Sequence, residues 1–154
     1  MTEIRRLRKH LSGPLAQPAL PTGIALTPVA EADPAALHAL LEAAYTNGFG
    51  SVPALDVWWP TVTADSEYDE GLFLVATDTT GQPVGLCLCW TSGFIKDIAV
   101  AADLRGKGIG EALLHAAFRA CKARGLDHVD LKVIAENTPA LRLYHRLGMV
   151  QAPL

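Results

Sequence analysis

Between a predicted strand ending at Val100 and a predicted helix beginning at Gly110, the chain reads Asp103-Leu104-Arg105-Gly106-Lys107-Gly108-Ile109-Gly110-Glu111. Three glycines at alternate positions permit positive φ angles and let the backbone approach a ligand closely. The first N–H groups of the following helix have no partner inside it, and the helix dipole favours an anion at that end. Arg105 and Lys107 add positive charge. The stretch reads as a diphosphate-binding turn, with a merely tight strand-to-helix connection as the alternative. A P-loop is excluded, because no Gly-Lys-Ser/Thr ending follows four residues after a first glycine. A dinucleotide fingerprint is excluded because the third glycine of its pattern would fall on Glu111 or Leu113.

The turn sits in a regular alternation. Phe94 to Val100 reads as a strand, and Gly110 to Arg124 as a helix with Leu113, Leu114, Ala117, Phe118 and Cys121 on one face. Lys122 and Arg124 close that helix before Gly125. His128 to Ile134 alternates Val129, Leu131 and Val133 with polar residues, and Pro139 to Leu147 carries Ala140, Leu143, Tyr144 and Leu147 on a helical stripe ended by Gly148. Strand, helix, strand, helix predicts parallel pairing of the two strands, with a ligand crevice outside their carboxyl ends. The fold class is α/β with a mixed α+β sheet.

Upstream, Ile24 to Val29 reads as a strand. Asp33 before Pro34 gives an N-cap with proline at the first helical position, ahead of Leu37, Leu40, Leu41 and Ala44 at helical spacing. Asn47 to Asp69 is mixed, with Gly48, Gly50, Pro53 and Pro60 around Leu55, Val57, Trp58 and Trp59, and reads as a short helix inside loops. Leu72 to Ala76 and Val84 to Trp90 form an antiparallel hairpin across Asp78 to Gln82. The second hairpin strand is almost wholly apolar, as suits a strand covered on both faces, and Cys87 and Cys89 share one of them. Residues 1 to 22, with Pro14, Pro18 and Pro21 and the basic run Arg5, Arg6, Arg8, Lys9 and His10, read as an N-terminal extension to a domain spanning 23–154.

The pattern Arg105-x-x-Gly108-x-Gly110 resembles the coenzyme A signature of the GCN5-related N-acetyltransferase (GNAT) family. Ile95-Lys96-Asp97-Ile98-Ala99-Val100 looks like that family's fourth strand, and Leu113, Leu114 and Ala117 look like its third helix. Glu136 to Met149 is similar to the second signature, in which Asn137, Ala140, Tyr144 and Gly148 keep the family spacing. Residues 94 to 149 match closely, while 23 to 93 agree mainly in the order of elements. The resemblance implies a GNAT-type acyl-CoA N-acyltransferase fold that moves an acetyl group from acetyl-CoA, as co-substrate and without a metal, to a primary amine by direct attack through a tetrahedral intermediate. A small-molecule acceptor is favoured. A protein N-terminus or lysine, and a non-catalytic acetyl-CoA sensor, stay open.

Residue by residue, the resemblance implies that backbone amides from Gly106 through Lys107, Gly108 and Ile109 to Gly110, with the Arg105 and Lys107 side chains, hold the diphosphate. The pantetheine arm runs along Ile98, Ala99 and Val100, where a bulge splays this strand from the next, and the Val100 N–H aims at the thioester oxygen. Tyr144 is the candidate general acid for the departing thiolate; on spacing alone it equally completes the apolar stripe. Asn137 contacts the coenzyme or caps the last helix, a role Thr138 could also fill. For the base, Asp97, an ordered water, and a partly neutral substrate amine remain alternatives.

Trp58 and Trp59 with Asp56, Asp65, Glu67, Asp69 and Glu70 suit a cationic acceptor, or else are a core tryptophan beside solvated acids. His38, His115 and His145 fall on predicted polar helix faces, and the cysteines read as core. A net charge of -3 argues against broad nucleic-acid binding, and no apolar run approaches the roughly 18 residues a membrane span needs. Three cysteines without zinc or disulfide spacing fit a reduced, cytoplasmic setting. Only six residues follow Gly148, fewer than the two further strands the resemblance implies. The shortened end leaves a sheet edge to be covered by residues 1 to 22 or by a second copy in a homodimer.

Overall fold

The computed structural model describes residues 2–46 and 50–154; Gly48 of the mixed segment lies outside them. The first sheet has the order β2 (Ala25–Thr27), β3 (Phe73–Thr77), β4 (Pro83–Cys89), β5 (Ile95–Val100), with all neighbours antiparallel. The second places β1 (Ile4–His10) between β6 (His128–Ile134) and β7 (Val150–Ala152), also antiparallel. The four α-helices of the described residues are α1 (Pro34–Tyr45), α2 (Leu55–Ala64), α3 (Ile109–Ala123) and α4 (Thr138–Arg146).

Local signals located most elements. The Asp33 side chain caps α1 by accepting from the Ala35 N–H, and Asn137 caps α4 by accepting from the Ala140 N–H. Every residue of β4 is buried, as its apolar run requires. Two cores flank the first sheet. Cys87, Cys89 and Ile95 pack with Leu113, Leu114 and Phe118 of α3, while Leu86, Leu88 and Ala99 pack with Leu37 and Leu41 of α1 and Trp58 of α2.

The basic stretch near the N-terminus is an interior strand, which corrects its reading as an appendage. Only Leu7 of β1 is fully buried, at 1% exposure, so the segment lacks the apolar alternation by which strands are recognised. Its charges are satisfied by position instead. Arg6 and Arg8 both donate to the Asp130 carboxylate on β6, at 2.7 Å and 2.8 Å through Nε. Lys9, on the Leu7 side, sets its ammonium over the Phe118 ring, 5.8 Å from the centroid, and donates to the Leu147 carbonyl at the end of α4, at 2.8 Å. Beyond β1, Arg119 and Lys122 of α3 hold the Leu15 and Gly13 carbonyls, so the following segment straps across that helix. The neighbour β6 needs comes from the chain itself, and Met149 to Leu154 supplies one short strand, β7.

The parallel pairing expected between β5 and β6 survives at one point only. Phe94 bridges Asp130, whose N–H donates to the Gly93 carbonyl at 2.9 Å, and beyond it the strands part. Gly93 is required here: its φ is +90°, and a Cβ would stand 2.8 Å from the His128 carbonyl oxygen.

Candidate active site

A cavity of about 1000 Å³ opens where β5 and β6 separate, lined by both strands, the glycine turn and the inner face of α4. Its walls are defined by hydrogen-bond parity. The Ala101 N–H donates to the Val84 carbonyl, which makes these two a hydrogen-bonded pair of the antiparallel β4–β5 ladder. Alternation then makes Val100 and Ile98 non-hydrogen-bonded positions, whose N–H and C=O groups point away from β4 and into the gap. On the far wall the Ala135 N–H donates to the Glu3 carbonyl, so Lys132 and Ile134 of β6 likewise turn their backbone groups to the gap. The cavity thus has on each side a strand edge with no strand partner, along which the Ile134 carbonyl accepts from the Asn137 N–H.

At one end lies the glycine turn. Gly106 and Gly108 have φ of +78° and +89°, and a Cβ on either would meet no atom within 4 Å, so the space before them is open. Gly108 is the N-cap of α3, no side chain caps that end, and the Ala112 N–H is the donor to the Gly108 carbonyl. The N–H groups of Ile109, Gly110 and Glu111 therefore lack helical partners. The Glu111 carboxylate, which would compete for this positive end, is paired with Arg146 at 2.9 Å. Arg105 lines the cavity while its Nε donates to the Val100 carbonyl at 3.3 Å. Lys107 is not among the residues lining the cavity.

Tyr144 of α4 lines the same cavity at 7% exposure, and its hydroxyl makes no hydrogen bond among the described residues. Burial, and secondarily Cys87, pushes its hydroxyl above the ordinary tyrosine value, so it stays a proton donor near neutrality. Asn137 lines the cavity while capping α4, its oxygen 3.4 Å from the Ala140 N.

Asp97 is brought in by a bulge. The β4–β5 register runs Leu88 to Asp97 and then Cys89 to Ile95, leaving Lys96 as an extra residue on β5. Because strand faces alternate, that residue turns Ile95 toward α3 and leaves Asp97 on the α1 side. There Asp97 is 5% exposed; the Tyr45 hydroxyl donates to its Oδ1, and the Lys96 ammonium lies 3.3 Å from Oδ2. Burial first, then the adjacent Asp97, raises the Tyr45 hydroxyl above its ordinary value. Tyr45 has no place in the sequence reading, whose apolar stripe on this helix ends at Ala44.

The pattern of the Acetyltransferase (GNAT) family matches residues 35–149, a span that contains β5, the glycine turn and Tyr144. The chain belongs to the GNAT family. Among this family's members, a mycothiol acetyltransferase from Pseudarthrobacter chlorophenolicus is 32% identical over 151 residues, covering 89% of this chain and 46% of the relative. The crystal structure of a GCN5-related N-acetyltransferase from Sphaerobacter thermophilus superposes with a TM-score of 0.78 at 30% identity, over 98% of this chain and 49% of that one. The ribosomal-protein-S18-alanine N-acetyltransferase of Escherichia coli shares the fold, with a TM-score of 0.67 at 21% identity, over 84% and 79% of the two chains. The chain spans about half the length, or less, of the mycothiol acetyltransferases it matches, from 30% to 51%.

The GNAT cavity does not gather the acids that follow Trp58 and Trp59, which agrees with their reading as solvated loop residues rather than acceptor contacts. Asp65 accepts from the Glu67 N–H, Glu67 from the Ser92 N–H, and Asp69 from the Gly71 N–H and Arg124; none lines the cavity. They are loop-capping residues. Trp58 is a core residue at 2% exposure, tilted against Trp59 and His38. His38 is also buried, with Nε2 2.7 Å from the Pro53 carbonyl, which corrects its placement on a polar face. Cys87 and Cys89 do share the α3 side, where the Cys89 and Cys121 sulfurs are 3.6 Å apart. Burial raises the Cys87 thiol, and contact with Cys121 plus burial raises Cys89, so neither is a ready thiolate.

Proposed function

We propose that the chain is an N-acetyltransferase that moves the acetyl group of acetyl-CoA to a primary amine by direct attack. The observation that carries this reading is the convergence, in one cavity, of a glycine turn on an uncapped helix N-terminus, an outward-facing Val100 amide and a buried, protonated Tyr144.

The backbone N–H groups of Gly106 to Gly110 and the first turn of α3 bind the diphosphate, with Arg105 beside them. The free edge of Ile98 and Val100 accepts the amide groups of the pantetheine arm as an added strand would be accepted. Attack by the amine nitrogen on the thioester carbon forms the C–N bond and places negative charge on the carbonyl oxygen. The Val100 N–H donates to that oxygen, a preorganised contact worth about 3 kcal/mol in comparable acyl transfers. Collapse breaks the C–S bond, and the Tyr144 hydroxyl gives its proton to the leaving thiolate. Asp97 receives the proton that the amine sheds, oriented by Tyr45. The relatives bearing the name mycothiol acetyltransferase favour a small-molecule acceptor.

The test is free-thiol release from acetyl-CoA across a panel of amines. With the accepted amine, Tyr144→Phe lowers kcat by about a hundredfold, at the low end of general-acid contributions, and leaves acetyl-CoA affinity in place. An unchanged kcat removes Tyr144 from its role; acetyl-CoA binding without turnover on any amine replaces the enzyme reading with the sensor reading.

A further inference from the structure

The acceptor side of the cavity has a charge pattern of its own. Leu7, Val129, Leu131 and Val133 of the second sheet pack into the core with α3, so Arg6, Arg8, Asp130 and Lys132 share the opposite face. On the first sheet, the face opposite α3 is the one that carries Asp97 and packs against α1. Asp97 and Lys132 therefore lie on one side of the cleft, away from the helix end assigned to the diphosphate.

The bridge between Phe94 and Asp130 is parallel, so two residues further along each strand Lys96 and Lys132 stand on opposing lips as the gap opens. Both line the cavity. Asp97 is engaged by Lys96, and Asp130 by both Arg6 and Arg8. Lys132 is exposed and has no ion pair among the described residues. Of these groups the cavity wall itself carries Lys96, Lys132 and Asp97, so two cations meet one carboxylate on this lip. Of the remaining acids of the lining, Glu111 is paired with Arg146, and Glu136 lies in the turn before α4. An acceptor with several positive charges is repelled here, which reverses the sign suggested by the acids between Asp56 and Glu70.

On the acetyl-transfer reading above, we propose that the acceptor is an amine that also carries an anionic group, a carboxylate or a phosphate. Its amine is directed to Asp97 and its anion to Lys132, with Lys96 free to turn to that anion once the substrate amine occupies Asp97. Lys132 is then a specificity-determining residue.

The experiment uses the full chain with acetyl-CoA and matched acceptors at equal free-amine concentration: β-alanine against β-alaninamide, and phosphoethanolamine against ethanolamine. The expected result is a kcat/KM at least tenfold higher for the anionic member of one pair, and the pair that responds tells carboxylate from phosphate. Lys132→Ala lowers that preference about fivefold by raising KM for the anionic member, and Lys132→Arg restores it. Equal or better use of the neutral members, a preference untouched by Lys132→Ala, or turnover of no member while acetyl-CoA binds overturns the proposal and leaves the coenzyme site standing. Failure of acetyl-CoA to raise the melting temperature overturns the acetyl-transfer reading and the proposal with it.

Discussion

Replacing Asp130 with Asn tests the junction on which the cleft depends. The Asp130 side chain is 3% exposed and takes hydrogen bonds of 2.7 Å from Arg6 and of 2.8 Å and 2.9 Å from Arg8. An amide keeps the shape but offers one acceptor oxygen and turns an NH2 group toward a guanidinium. Breaking a buried ion pair costs ~3–5 kcal/mol, and the arginine side chains, at 26% and 29% exposure, recover part of that from water. The expected loss is about 2–3 kcal/mol. With a urea m-value of about 2 kcal/mol/M, that is a fall of about 1–1.5 M in the unfolding midpoint. Tryptophan fluorescence reads it directly, since Trp58 is in the core. The pH dependence supplies a second check. Burial by itself would raise the Asp130 carboxyl, but the hydrogen bonds and charges of Arg8 and Arg6 outweigh it and hold it below the ordinary range. A group depressed on folding stabilises fully above its unfolded value, about 4, and loses that contribution as pH falls toward the folded value. The gap between wild type and Asp130→Asn should therefore be full at pH 7 and shrink below about pH 4. A gap under about 0.5 kcal/mol at pH 7, or one that stays constant into acid, would refute the reasoning.

Two further substitutions separate backbone from side-chain roles in the cavity. Gly108→Ala meets no atom but forces a left-handed alanine, costing roughly 1–2 kcal/mol in the same urea experiment; its methyl projects into the open space before α3 and should weaken acetyl-CoA binding at least tenfold by calorimetry, an unchanged Kd placing the diphosphate elsewhere. Tyr45→Phe removes the hydroxyl held by Asp97, about 1.5 kcal/mol for a charged hydrogen bond and so roughly tenfold in acceptor kcat/KM; acetyl-CoA affinity should stay as it is, and an equal loss in both parameters would make Tyr45 a packing residue only.

The legible parts of the site were those written within a few consecutive residues. The Gly106 and Gly108 turn, the Asn137 cap and the position of Tyr144 follow from local spacing, and each lines or borders the cavity where that spacing puts it. Less was legible where a contact joins distant elements. Asp97 was one of several base candidates because its face depends on the Lys96 bulge, which one strand's pattern does not reveal. Tyr45 was hidden because a tyrosine at the end of an apolar stripe looks like packing until β5 is set beside it. Of the two readings open for the acids after Trp58 and Trp59, the solvated-loop one fits: nearness in sequence to the tryptophans is not nearness to the cleft, and backbone N–H groups occupy Asp65, Glu67 and Asp69.

By itself the sequence determined the order of elements from Ile24 onward, most helix ends and the glycine turn, because caps, glycine conformations and apolar periodicity act over one or two helical turns of chain. Tertiary structure alone decided that Ile4–His10 lies between β6 and β7, with Arg8 meeting Asp130 across 122 positions. It also decided that β5 leaves β6 after one bridge, opening the cleft. The physical reason is that strand pairing is chosen by partners: a segment with one buried leucine and five basic residues has little strand character until a carboxylate and two open edges are there to receive it.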